Sequence, residues 1–123
     1  MKMLSKAQII ALHGMTIRQT GGSAGLRDEG ALDAVLAAPF QTFGGNALYP
    51  SIKAKIARLG YGLIQNHPYV DGNKRIGMLV LLVCCEINGI PLETTDQEII
   101  EIGLSLASGK MDCRALTQWL MEK

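Results

Sequence analysis

The chain lacks a cysteine framework. Its three cysteines are an odd number, Cys84 and Cys85 sit side by side in an apolar run, and no CxxC pair occurs. A disulfide-stapled scaffold is excluded on these grounds, the thiols read as small core residues, and a reducing cytoplasm is the expected compartment. An excess of either charge is also missing. Twelve Lys and Arg face eleven Asp and Glu, a formal +1, so no direct nucleic-acid contact and no anionic-membrane contact are expected. The start, "MKMLSKAQIIALHG", has no signal-peptide apolar core. The most apolar run, Ile76 to Ile87, falls short of the roughly 20 residues a membrane span needs. Internal repeats, low-complexity tracts, a linker, a strand ladder, a Walker A loop and a Gly-rich kinase loop are all absent.

What is present is helical. At 123 residues the length suits one domain, 1–123, with a single sizeable core. Ser5 is placed to cap a first helix with Ile9, Ile10, Leu12 and Ile17 as core candidates and His13 as a structural histidine. "TGGSAGLRD" breaks it, and Asp28 caps a second helix that Pro39 ends near Ala38. "FQTFGGNALYP" reads as an extended loop or short hairpin. A third helix from Ser51 carries Ile52, Ile56, Leu59, Leu63 and Ile64 inward. A buried helix from about Asn73 to Asn88 follows, with Gly89 suited to a left-handed C-terminal position. Thr95 or Asp96 opens a helix to about Ala107, and Asp112 caps the last, bearing Leu116, Trp119 and Leu120. The expected fold class is all-α, about six helices.

Between the third helix and the buried one stands "NHPYVDGNKRIG", Asn66 to Gly77. It sets His67, Asp71, Asn73, Lys74 and Arg75 within nine residues. A buried helix starting at Asn73 directs free N–H groups and its positive dipole end at what precedes it, which favours an anion. Gly72 would let the backbone approach that anion. Lys74 and Arg75 add cations in a first turn that normally prefers acidic residues, which is expected if a phosphate supplies the negative charge. Asp71 is a hard oxygen ligand, suited with phosphate oxygens and water to Mg²⁺. His67 alone here can accept a proton near neutral pH. Singly, each residue has a bland explanation: turn chemistry for Asp71-Gly72-Asn73, a helix-end histidine for His67. Jointly, with two cations at the wrong helix end, they read as a Mg–nucleotide site with a general base. A zinc pair of His67 and Asp71 is disfavoured because no further His or Cys has ligand spacing.

"HPYVDGNKR" resembles the signature of the Fic/Doc family, HPF-x-[D/E]-G-N-[G/K]-R. "GGSAGLRDEGALDAVLAAP", "YPSIKAKIARLGYGLIQNHP" and "CCEINGIPL" are similar to its Doc (death-on-curing) branch, short toxins of toxin–antitoxin modules. The resemblance implies a compact helical bundle with the motif loop between two central helices, and ATP-dependent modification of a hydroxyl on a target protein. It implies His67 as general base, Asp71 as the Mg²⁺ ligand, Gly72, Asn73 and Lys74 as the anion cradle and Arg75 as a phosphate clamp. Pro68 and Tyr69 would anchor the loop, and Phe43 to Tyr49 match the target-aligning flap by position.

Two departures bear on the reaction. AMP-transferring Fic proteins usually have Gly where this chain has Lys74 and a second Arg where it has Met78. Both changes resemble Doc, which transfers the γ-phosphate of ATP, so phosphorylation of a Ser or Thr is preferred to AMP transfer. Gly72 is the Fic-like choice, and Gln65 stands where the best-known Doc carries Arg. A catalytically silent peptide-binding domain is the third reading, against which the intact motif stands. The self-inhibitory [S/T]-x-x-x-E-[G/N] pattern is not met: Glu29-Gly30 follows Gly25, and Thr94 to Glu98 is followed by Ile99. Control by a separate antitoxin acting in trans, as a helix in an apolar groove, is therefore expected. The resemblance to Doc further implies a translation elongation factor as target, with elongation factor Tu as the candidate and inhibited translation as the outcome.

Overall fold

A computed structural model describes residues 1–123. Six helices account for the architecture: α1 (Lys6–Thr20), α2 (Glu29–Ala37), α3 (Ile52–Gln65), α4 (Asn73–Ile87), α5 (Asp96–Ala107) and α6 (Cys113–Met121). Side-chain oxygens start five of them. Ser5, Asp28, Ser51, Thr95 and Asp112 each accept a backbone N–H three residues on. Ser5 and Gln8 complete a reciprocal capping box, which satisfies two otherwise orphaned donors. The fold class is all-α as expected. One feature departs from it: β1 (Thr42–Phe43) and β2 (Asn46–Ala47) pair antiparallel across a Gly44-Gly45 turn. Both turn glycines have positive φ, which a two-residue hairpin needs. Pro39 does not stop the chain abruptly but sits within a 3₁₀ turn, Ala38–Phe40, that prolongs α2.

The middle of the bundle is α3 against α4. Leu59, Leu63, Ile64, Ile76, Val80 and Leu81 are all but completely buried there, each side chain worth about 1.5–3 kcal/mol of burial. The two backbones approach closely because both lack a Cβ where they meet. A methyl at Gly77 would fall 2.5 Å from Ile64 Cγ1 and 2.9 Å from the Gly60 carbonyl oxygen. Helices α1, α5 and α6 close the sides, with Ile9, Leu106, Leu116 and Leu120 fully buried. Ile10, expected in the core, is instead 41% exposed, since α1 rotates Ile9, His13 and Ile17 inward at i, i+4 and i+8. Cys84 and Cys85 are buried, and burial pushes the Cys85 thiol up to about 11. No helix is long and apolar enough to cross a membrane. The motif loop, 66–72, therefore leaves the end of α3 and enters α4 at the rim of the core.

Candidate active site

Helix α4 begins without a side-chain cap. Its N-cap is Gly72, in the left-handed region at φ 79°, and no acidic residue occupies the first turn. The expectation that Gly72 serves close approach of an anion meets a different geometry. A Cβ there would point inward, 3.1 Å from Ile17 Cδ1 and 3.4 Å from His13 Nε2. Its amide already donates to Asp71 Oδ1 at 2.8 Å. Glycine is required here by backbone conformation and by packing on α1. Gly72 nonetheless lines a polar pocket of about 440 Å³ at the start of α4, together with His67, Val70, Asp71, Asn73, Lys74 and Arg75.

Asp71 is half exposed and accepts from the Ser23 and Gly72 amides at 3.2 and 2.8 Å. Those two hydrogen bonds, with lesser contributions from Arg75 and His13, hold its carboxyl below the usual carboxylate range. It is ionised at neutral pH. No cluster of three or more His, Cys, Asp or Glu surrounds it. A divalent cation at this one carboxylate would have to take its other ligands from phosphate oxygens and water, the usual Mg²⁺ arrangement. The donor set fits that ion.

The side chain of Asn73 is already engaged. It clamps the loop: Oδ1 accepts the Tyr69 amide and Nδ2 donates to the Tyr69 carbonyl, both at 3.0 Å. Arg75 is likewise engaged. Its guanidinium donates to Thr20 Oγ1 and to the Gly21 carbonyl at 2.9 Å, and stands 3.8 Å from Asp71 Oδ1. Lys74 makes no ion pair. Its stem leans on α5, with Cγ 3.4 Å from where a Cβ on Gly103 would lie.

His67 is exposed and is the one non-glycine residue with positive φ, 46°. Such a conformation persists only where the surroundings over-determine it. The residues that do so escaped the sequence reading. Arg27 Nε donates to the His67 carbonyl at 2.7 Å and Nη2 to the Asn66 carbonyl at 3.2 Å. The Arg27 and Asp28 amides both bond the Pro68 carbonyl. His13 is the structural histidine expected, and what it supports is the loop: it is 3% exposed, its Nε2 lies 2.7 Å from the Asp71 carbonyl, and its ring stacks on Tyr69 at 3.7 Å. Tyr69 is buried as expected of an anchor, its hydroxyl unpaired and its pKa raised by burial. The only sequence signal for Arg27 and His13 was a charged or polar residue on the α1–α2 segment, with nothing to mark its distant partner.

A second, apolar groove adjoins the pocket at Lys74 and Arg75. It runs between α4 and α5, is lined by Met78, Leu79, Leu82, Ile99, Ile100 and Gly103, and has a volume of about 400 Å³.

Comparison with known proteins agrees with the motif. The model of the Fic/DOC family matches residues 3–85, more than half of the chain. Toxin Doc of Mycolicibacterium smegmatis (strain ATCC 700084 / mc(2)155) is 42% identical over 72 residues, 58% of this chain and 55% of that protein. The match thus spans about half the length of that relative.

Proposed function

The chain belongs to the Fic/DOC family, and from that premise we propose that it is a Doc-like toxin of a toxin–antitoxin module. Its reaction, in this reading, is transfer of the γ-phosphate of ATP to a Ser or Thr hydroxyl of a target protein. The observation that carries the reading is the uncapped, cation-bearing N-terminus of α4 facing His67 across one polar pocket. His67 takes the proton from the attacking hydroxyl, a contribution of about 10²–10⁴-fold. The Asn73, Lys74 and Arg75 amides and the Lys74 ammonium stabilise negative charge on phosphate oxygens. Asp71, ionised, holds Mg²⁺, and Mg–ATP supplies the phosphoryl group when bound. Two features favour phosphorylation over AMP transfer. Lys74 fills the place of the usual Gly, and Met78, which stands for the second Arg, is 6% exposed and packs near Gly103, so no cation is available there.

The target is proposed to be a translation elongation factor, with elongation factor Tu as the first candidate. The antitoxin would act in trans, its amphipathic helix seated in the α4–α5 groove beside Lys74. Incubation with ATP labelled at the α or γ position, with and without elongation factor Tu, tests the reading. Label from the γ position and one added phosphate by intact mass support it. Label from the α position would make the protein an AMP transferase, and no label from either would leave a silent binding domain.

A further inference from the structure

The short segment Gly25–Asp28, which leads into α2 through the Asp28 cap, follows the motif loop residue for residue. The Val70 amide donates to the Gly25 carbonyl at 3.1 Å, Leu26 forms an isolated antiparallel bridge with Tyr69, and the Arg27 and Asp28 amides meet the Pro68 carbonyl at 2.8 and 3.0 Å. Beyond that ladder only the Arg27 side chain continues the contact, reaching the carbonyls of His67 and Asn66. Asn66 is the C-cap of α3, a helix with no basic residue of its own in its last turn. A guanidinium there meets the negative end of the helix dipole and orphaned carbonyls together. Its planar fork holds two successive carbonyls in a fixed geometry that the rotatable donors of an ammonium match only in part.

We propose that Arg27 is a positioning residue for the His67 side chain. By holding the carbonyls of the two peptides that flank the His67 Cα, 66–67 and 67–68, it fixes the left-handed backbone of His67 and with it the direction in which the imidazole leaves the chain. The claim rests on the reading of His67 as the base. Without the brace, the residue relaxes toward negative φ, which its β-carbon prefers, and the ring swings out of the pocket. Misplacement of about 1 Å in a reacting group costs up to about 10²-fold in rate.

The test uses the full chain with Arg27→Met and Arg27→Lys. Expected for Arg27→Met is a kcat for γ-phosphoryl transfer lowered by about 10–100-fold with KM for ATP unchanged, and partial recovery in Arg27→Lys. The chain has two histidines, so their imidazole proton resonances are assigned by the loss of one in His67→Ala. The His67 signals should shift or broaden in Arg27→Met while those of buried His13 stay. Wild-type kcat with an unmoved His67 resonance would overturn the brace, as would His13 signals that move as much as those of His67 in a folded Arg27→Met, which marks a general loss of packing. Should Arg27→Met fail to fold, Arg27→Lys is judged by the same two readouts. If the wild-type protein transfers neither phosphate nor AMP, or His67→Ala is as active as wild type, the base reading fails, and the resonance comparison still decides whether Arg27 fixes the ring.

Discussion

Replacing Asn73 by Asp sets two physical rules against each other. By helix-terminus electrostatics a carboxylate in the first turn of α4 should stabilise the protein by about 0.3–1 kcal/mol. By the loop clamp it should do harm. The isosteric carboxylate keeps the bond from the Tyr69 amide, but the group that donated to the Tyr69 carbonyl at 3.0 Å becomes an oxygen facing an oxygen. The lost bond and the unmet carbonyl together cost about 1–3 kcal/mol, with the charge repulsion added. After subtraction of the helix-terminus gain, and with the repulsion keeping the balance unfavourable, the clamp should win by up to about 2.7 kcal/mol. With about 2.1 cal/mol/K of unfolding entropy per residue, 1 kcal/mol corresponds to about 4 °C of Tm for this length, so Asn73→Asp should melt up to about 10 °C below wild type at pH 7. Acid should narrow the gap, because the protonated carboxyl regains a donor for the Tyr69 carbonyl. Thermal unfolding followed by circular dichroism at pH 7 and pH 4 measures both effects. An unchanged or higher Tm at pH 7 would refute the clamp and return Asn73 to the role of a free cradle residue.

Both His67→Ala and His67→Gly should abolish transfer, yet the glycine variant should melt about 4 °C above the alanine one, because a left-handed residue costs about 1 kcal/mol when it carries a β-carbon; equal Tm values would deny strain at this position. Gly77→Ala should lower Tm despite alanine's better helix propensity, since its methyl meets Ile64 and the Gly60 carbonyl oxygen at 2.5 and 2.9 Å, and overpacking of this kind costs about 1–3 kcal/mol. The depressed Asp71 carboxyl contributes stability that is fully present above its ordinary value of 3.8 and is lost as pH falls through its lower folded value; a proton titration of the carboxyl should place its midpoint below 3.8, and a midpoint above it would contradict the Ser23 and Gly72 hydrogen bonds. Lys74→Met should weaken transfer while raising Tm slightly in the absence of nucleotide, and a lowered Tm would show that the ammonium has a stabilising partner.

Much of the scaffold was legible because it is encoded locally. Ser5, Asp28, Ser51, Thr95 and Asp112 announce five helix starts through contacts only three residues long, and the hairpin through two adjacent glycines. The motif could be read for its chemistry because its residue types are costly in any ordinary turn. The parts that stayed hidden depend on contacts across the chain. Arg27 meets the Asn66 and His67 carbonyls 39 and 40 residues away, and His13 meets the Asp71 carbonyl 58 residues away. A backbone carbonyl is the same at every position, so no pattern in the sequence marks it as a partner. Ile10 was misplaced for a related reason: three apolar residues within one turn and a half of α1 leave the inward face ambiguous until α4 is in place.

The two cations that first drew attention to α4 are not equivalent once their surroundings are compared. Arg75 sits at an unfavourable helix end but is offset locally. It bonds Thr20 and the Gly21 carbonyl at the C-terminus of α1, where the dipole is negative, and stands near Asp71. It could be explained by folding alone. Lys74 cannot. It has no carboxylate partner, points from the same positive helix end, and rests only its stem on α5. A residue that opposes helix electrostatics without a compensating contact is the kind expected where function rather than stability selects it. The unpaired charge among the pocket's lining residues is therefore that of Lys74. The proposal of an anionic ligand rests on this lysine more than on the arginine beside it.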